Sequence, residues 1–200
     1  MSVKNQAKII AILGASGAGK STAIKQLIRE QKPKRLIVID PMGEYGDHAE
    51  HVKTVSEVLA AARQKAFKVA FKTSSINPVE QFDTICRIAY TVGDCWLIVD
   101  ELAIYTQPNK APPAWADCSM RGRHKGMTVI GASQRPASID KHFFGNASIV
   151  RSGRLNYADD VKTMGNVLNV PAQQIKDLLP LEYVQKNMGN GEITTGKVEI

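Results

Sequence analysis

Eight residues near the start of the chain, Gly14-Ala15-Ser16-Gly17-Ala18-Gly19-Lys20-Ser21, constrain its fold more than any others. They fit the pattern G-x-x-x-x-G-K-[ST] at every fixed position. A chance match in a chain of this length arises on the order of once in a hundred, given average residue usage. The flanks make chance rarer still. An apolar run over residues 8–13 precedes the motif, and Ile24, Leu27 and Ile28 follow at helical spacing. Strand, glycine turn and helix in that order form the first half of a β-α unit. The glycines let the backbone curl until successive N–H groups face one concavity. The helix N-terminus adds positive potential there, which suits a phosphate chain. In such a loop the Lys20 ammonium reaches the β- and γ-phosphates of ATP, and the Ser21 hydroxyl ligates Mg²⁺. The expected nucleotide-binding residues are therefore Gly14, Ala15, Ser16, Gly17, Ala18, Gly19, Lys20 and Ser21, with Thr22 beside them.

The rest of the chain repeats the alternation of short apolar runs and helical patterns. Residues 35–40 (RLIVID) read as a second buried strand, and PMGEYGDH after it as a turn-rich loop. Ser56 is the expected cap of a helix over 57–64, and 67–71 is the next strand. Asn77-Pro78 opens a helix that carries Val79, Phe82, Cys86 and Ala89 on one face. The continuous apolar character of 95–100 (CWLIVD) predicts a strand buried on both faces. A Pro-containing stretch, 107–113, leads to a helix that reaches the basic cluster 121–125. Strands follow over 127–132 and 148–151, then helices over 157–168 and 171–179. Residues 181–200 resemble a β-hairpin turning at Gly189-Asn190-Gly191. The expectation is an α/β fold with a mainly parallel central sheet flanked by helices, closed by a C-terminal β-hairpin. With no repeat, low-complexity tract or linker, residues 1–200 read as one domain.

Composition narrows the class. Hydrophobic residues make up 44% and charged residues 22%, as in soluble globular proteins. No apolar run approaches the roughly 20 residues of a membrane helix. The opening MSVKNQAK lacks a signal-peptide core, so a cytoplasmic protein without membrane insertion is expected. Cys86, Cys95 and Cys118 are far apart and show no C-x-x-C spacing, which favours buried, reduced thiols over zinc or disulfides. The formal net charge is +7. Phosphate neutralisation drives nucleic-acid binding, yet many basic proteins bind none, so charge alone decides nothing.

Two further segments carry chemistry. Asp100 ends an apolar run, where a Walker-B aspartate holds the magnesium shell, and Glu101 follows at once, where a carboxylate reaches an attacking water. Gly131-Ala132-Ser133-Gln134-Arg135-Pro136 ends the next strand, at the edge that faces the ligand crevice of a parallel sheet. Gln134 is either an uncharged sensor of the γ-phosphate or a polar strand cap, and position alone does not separate the two.

Together GASGAGKS, RLIVIDPMGEYGD, WLIVDE and RGRHKGMTVIGASQRP resemble the HerA/FtsK superfamily of DNA-translocating P-loop ATPases. The resemblance spans residues 8–136, and LPLEYV at 179–184 is similar too. D-P-x-G-E-Y and S-Q-R-P are its more diagnostic pieces. It implies a RecA-like core, hexameric rings and ATP sites at subunit interfaces, with catalysis by Asp100 and Glu101 and sensing by Gln134. It also implies a trans-acting arginine shortly before the sensor strand. Arg123 matches best and Arg121 is the alternative. Glu44 and Tyr45 match the family's G-E-Y without an assigned role. The lack of appended domains makes the chain similar to genome-packaging ATPases of tailless, membrane-containing icosahedral viruses. That likeness implies double-stranded DNA and capsid or vertex proteins as partners, and host cytoplasm or the virion as location. Lys110, Arg121, Lys125 and Lys141 are the candidate DNA contacts by loop position.

Two other readings compete. A small-molecule or nucleotide kinase would share the glycine loop, but Glu101 beside Asp100 and the S-Q-R-P segment argue against it. A phage assembly ATPase acting on protein and membrane is disfavoured by the lack of a transmembrane segment.

Overall fold

The computed structural model describes residues 7–199. Residues 1–6, which include most of the segment read for a signal peptide, and Ile200, the last residue of the expected hairpin, lie outside them. Among the described residues nine strands form one sheet in the order β3-β4-β2-β5-β6-β1-β7-β8-β9. In chain order these are β1 (Ile9–Leu13), β2 (Arg35–Ile39), β3 (Glu50–Val52), β4 (Phe67–Phe71), β5 (Trp96–Val99), β6 (Thr128–Ser133), β7 (Ile149–Gly153), β8 (Glu182–Asn187) and β9 (Ile193–Lys197). The seven strands from β3 to β7 in that order pair in parallel, and the β8–β9 hairpin continues the sheet antiparallel to β7. The expected α/β architecture with a mainly parallel sheet and C-terminal hairpin is thus present.

The apolar runs form strands because both sheet faces are covered. Ile9, Ala11 and Leu13 of β1 point into a core shared with α3 (Pro78–Val92), α4 (Pro113–Arg121) and α6 (Ala158–Leu168). Ile10 and Ile12 point the other way, onto Ile24 and Ile28 of α1 (Lys20–Gln31). Leu27, expected on the inner face, is only partly buried at the rim of that cluster. The larger core holds a chain of rings: Phe82 stacks on Tyr105 at 4.4 Å, and Trp115 sits between Phe82 and Phe143. Cys86, Cys95 and Cys118 are buried free thiols in this core, and burial pushes the Cys95 thiol up to about 12.

Several local expectations are corrected. The cap of α2 (Val55–Ala62) is Thr54, not Ser56. Both are hydroxyl residues, but only Thr54 has a glutamate three positions on. Its hydroxyl accepts Glu57 N–H, and the Glu57 carboxylate accepts Thr54 N–H at 3.0 Å, a reciprocal capping box. Val79 is 44% exposed, since the buried stripe of α3 begins at Phe82 and runs through Ile85, Cys86 and Ala89. The helix read over 171–179 is the shorter α7 (Ala172–Lys176). Strand β3 and helix α5 (Lys141–Asn146) were not expected from the sequence.

Helix α5 explains one glycine. A Cβ on Gly131, in the middle of β6, would lie 2.7 Å from the Phe143 ring. The ring is fully buried and has nowhere to go. Gly131→Ala should therefore destabilise the fold by about 1–3 kcal/mol, the usual cost of overpacking. Urea unfolding measures it, and an unchanged midpoint would mean that α5 sits less firmly on β6 than described.

Candidate active site

The site forms at the C-terminal edge of three adjacent strands, β5, β6 and β1. Each strand ends in one of the segments singled out in the sequence. The glycine loop leaves β1, Asp100-Glu101 leaves β5, and Gln134 leaves β6, which lies between them.

The loop is held on both sides. Gly14 N–H donates to Ser133 C=O at 3.2 Å, and Ala15 N–H donates to Arg154 C=O at 2.7 Å. A Cβ at Gly14 would lie 2.8 Å from that of Ala18, so the loop closes this tightly only with glycine there. Gly19 caps α1 with φ 84, a left-handed conformation that favours glycine, and offers no side-chain acceptor to the first turn. The N–H groups of that turn are therefore not matched by a capping side chain, as an anion site requires. Lys20 is buried, and its ammonium donates to the carbonyls of Gly14 at 2.9 Å and Ala15 at 3.1 Å. Burial lowers its pKa, while Glu101, Asp100 and Glu44 act in the opposite sense.

Asp100 faces this lysine. Its Oδ2 accepts from the Ser21 hydroxyl at 3.4 Å and the Tyr45 hydroxyl at 3.3 Å. Burial raises the Asp100 pKa, Lys20 lowers it, and Glu44 and Glu101 raise it further. A buried carboxylate held up by desolvation is one that a cation would stabilise. One hydroxyl and one carboxylate, completed by water and phosphate oxygens, is a donor set that Mg²⁺ accepts, so these residues fit that ion. Among the described residues there is no cluster of three acidic, histidine or cysteine side chains for a cage built from protein alone.

Glu101 takes a left-handed conformation, φ 56, at the sharp exit from β5. That turn aims its carboxylate across the end of β6. Oε2 accepts from Gln134 Nε2 at 3.0 Å, and Oε1 accepts from Gln134 N–H at 3.3 Å and Ser133 hydroxyl at 3.4 Å. A carboxylate and an amide are thus in direct contact beside the glycine loop.

The arginines lie elsewhere. Arg123 sits on a 3₁₀ turn, Gly122–Lys125, which precedes β6. Gln134 follows the far end of that strand, six strand residues or roughly 20 Å away. Arg121 closes α4 on the same side and pairs with Asp117 at 3.5 Å. Neither belongs to the cluster around Lys20 in its own chain. Arg135, in the S-Q-R-P segment, is locked to the fully buried Asp160 at 2.6 Å and lies over the Tyr157 ring. The candidate DNA contacts fall into two separate groups. Lys110 lies in the loop after β5 and Lys141 opens α5, the two joined by a Lys141 N–H bond to Pro108 C=O. Arg121 and Lys125 lie in the segment that precedes β6, where Lys125 covers the Tyr90 ring. Sequence reasoning gave Asp40 no role. It is fully buried at the end of β2 and orders the loop that carries Tyr45. The D-P-M-G-E-Y run was the available signal.

Residues 5–91 match the sequence model of the family described as helicase HerA, central domain. Protein P9 of Pseudoalteromonas phage PM2 is 26% identical over 193 residues, covering 93% of this chain and 87% of that protein. Among solved structures, the genome packaging NTPase B204 of Sulfolobus turreted icosahedral virus 2, in complex with AMPPCP, superposes with a TM-score of 0.81. It is 17% identical, and the match covers 97% of this chain and 98% of that one. The bacterial conjugative coupling protein TrwBdeltaN70 superposes with a TM-score of 0.72 at 13% identity, over 96% of this chain and 85% of that one. The resemblance to the HerA/FtsK superfamily is borne out, and the fold is shared with a viral packaging NTPase. Among the described residues no helix is long and apolar enough to cross a membrane.

Proposed function

We propose that the chain is a Mg-dependent ATPase, one domain over residues 1–200, that assembles into a ring and translocates double-stranded DNA. Genome packaging into a viral capsid is the reading that the likeness to B204 supports, with capsid or vertex proteins as further partners and the host cytoplasm or virion as its place. One observation carries the enzymatic part. Lys20, Ser21, Asp100, Glu101 and Gln134, from three separate segments, converge at the ends of three adjacent strands.

The loop N–H groups of residues 14–22 bind the phosphates of ATP. Lys20 exchanges its bonds to Gly14 and Ala15 for the β- and γ-phosphate oxygens. Ser21 and Asp100 would hold Mg²⁺, which would supply charge neutralisation along the phosphate chain. Glu101 orients the water for in-line attack on the γ-phosphorus and takes up its proton, while ADP leaves. Gln134, bonded to Glu101, reports whether a γ-phosphate is present. A carboxylate placed for water beside the phosphate loop favours hydrolysis over transfer to a second substrate, and so argues against a kinase.

Phosphate release measured with and without long linear duplex tests the motor reading. Turnover should rise with duplex, and the log of duplex affinity should fall linearly with log salt, by about 0.9 per phosphate neutralised. Hydrolysis indifferent to both DNA and salt would sink the translocase assignment.

A further inference from the structure

Two buried aspartates stand side by side at the site, and only one faces the nucleotide loop. Asp40 and Asp100 each follow the last residue of β2 and β5, whose final pair is Ile39 with Val99. Asp100 turns to Ser21. Asp40, fully buried, turns to its own downstream loop. Its Oδ1 accepts the N–H groups of Gly43 at 2.8 Å and Glu44 at 2.9 Å. Its Oδ2 accepts Tyr45 N–H at 3.0 Å and meets His51 Nε2 at 3.0 Å. Four partners on one carboxylate fix the path of residues 41–45. That path brings the fully buried Tyr45 ring beneath Lys25 of α1, 5.5 Å from its ammonium. The Tyr45 hydroxyl then reaches Asp100 Oδ2, the same oxygen that Ser21 meets.

We infer that Tyr45 is the positioning residue for Asp100, and that Asp40 sets Tyr45 by ordering the loop between them. The inference rests on the Mg-ATPase reading above. A carboxylate has two oxygens and free rotation about its terminal bond. A hydroxyl that donates to Oδ2 from within the core holds the group in one orientation toward Ser21. A phenol is protonated throughout the neutral range, so the Tyr45 hydroxyl is available as a donor to Asp100 Oδ2. Tyr45 is fully buried, and its hydroxyl meets Asp100 rather than solvent. It acts through Asp100, and the G-E-Y triplet gains a physical role.

The test is Tyr45→Phe, which removes the hydroxyl and keeps the ring. Two magnesium titrations are read: turnover, and binding of a fluorescent ATP analogue in magnesium against binding in EDTA. The magnesium needed for half-maximal turnover should rise about tenfold, and the gain in analogue affinity from magnesium should shrink by a similar factor. Binding in EDTA should stay parental. Asp40→Asn should move both titrations in the same direction, and the double variant should be no worse than the weaker single, as residues acting in series require. Should Tyr45→Phe melt below the assay temperature, the titrations of Asp40→Asn decide. A parent whose magnesium-dependent binding and hydrolysis are unchanged by Tyr45→Phe overturns the positioning role alone. A parent with no magnesium-dependent binding or hydrolysis overturns the ATPase reading, and this inference with it.

Discussion

Arg123→Ala is expected to bind ATP nearly as the parent does and to hydrolyse it about 10³–10⁵-fold more slowly, the range found for arginine fingers. The geometry makes this a demanding prediction. Arg123 lies before β6 and its own chain's Glu101–Gln134 pair lies beyond the other end of that strand. A large loss of turnover with intact nucleotide binding is hard to obtain across that distance within one chain. It follows directly if the residue acts on a neighbouring subunit. Mixing Arg123→Ala with Glu101→Gln, each inactive alone, then restores partial hydrolysis. Some interfaces pair an intact Glu101 with an intact Arg123. A role within one chain gives no rescue, because every chain carries one lesion. Mixed rings that form but stay inactive would remove the trans assignment. Arg121→Ala, whose side chain pairs with Asp117, belongs in the same experiment.

Lys20→Ala and Glu101→Gln should both abolish useful turnover, by opposite routes. Lys20→Ala removes a buried cation from the phosphate loop, and so weakens ATP binding as well as hydrolysis. The Asp100, Glu101 and Glu44 charges that now act on Lys20 would then face the phosphates without it. Glu101→Gln keeps the loop intact and should hold ATP normally while turnover falls about 10²–10⁴-fold, the usual contribution of a positioned acid–base group. Its amide oxygen still accepts from Gln134 Nε2, so the pair survives without the basic oxygen. Equilibrium binding of a fluorescent ATP analogue beside single-turnover hydrolysis separates the two variants. Parental hydrolysis by Glu101→Gln would disprove its role as the base. Undiminished binding by Lys20→Ala would do the same for the phosphate contact.

What the sequence disclosed depended on how local each signal was. The strands of the parallel core were legible because a strand covered on both faces must be apolar at every position, as in Ile9–Leu13 and Trp96–Val99. The glycine loop was legible because one turn contains the whole motif. Strand β3 was not, since Glu50, His51 and Val52 become a strand only by pairing with β4 at the sheet edge. Helix α5 is six residues long, and its reason to exist is Phe143 against Gly131, a contact that no periodicity reveals. The sequence marked Tyr45 but gave it no task, because its partner Asp100 is 55 positions away. Arg135 was read with the sensor segment, yet its carboxylate partner lies on α6, 25 residues downstream. Non-local pairing, rather than weak propensity, set the boundary of what was readable.

The central place of β1 has a consequence for how the chain is made. Its two partners are β6 and β7, and the pairs Ile9 with Val129 and Ile10 with Ile149 join residues 120 and 139 apart. A ribosome emits the Ile-Ile-Ala-Ile-Leu segment more than a hundred residues before its first native neighbour. At about 5–20 residues per second, the interval is on the order of ten seconds. Throughout it, the most apolar strand of the protein has no edge to join. Closing so long a loop also places this chain among slow folders, because the entropy of closure is lost before the pairing is gained. The phosphate loop takes its final shape only after Gly14 meets Ser133 and Ala15 meets Arg154. Nucleotide binding in this protein is therefore a late event of synthesis, because the loop's signature is translated more than a hundred residues before the partners that shape it.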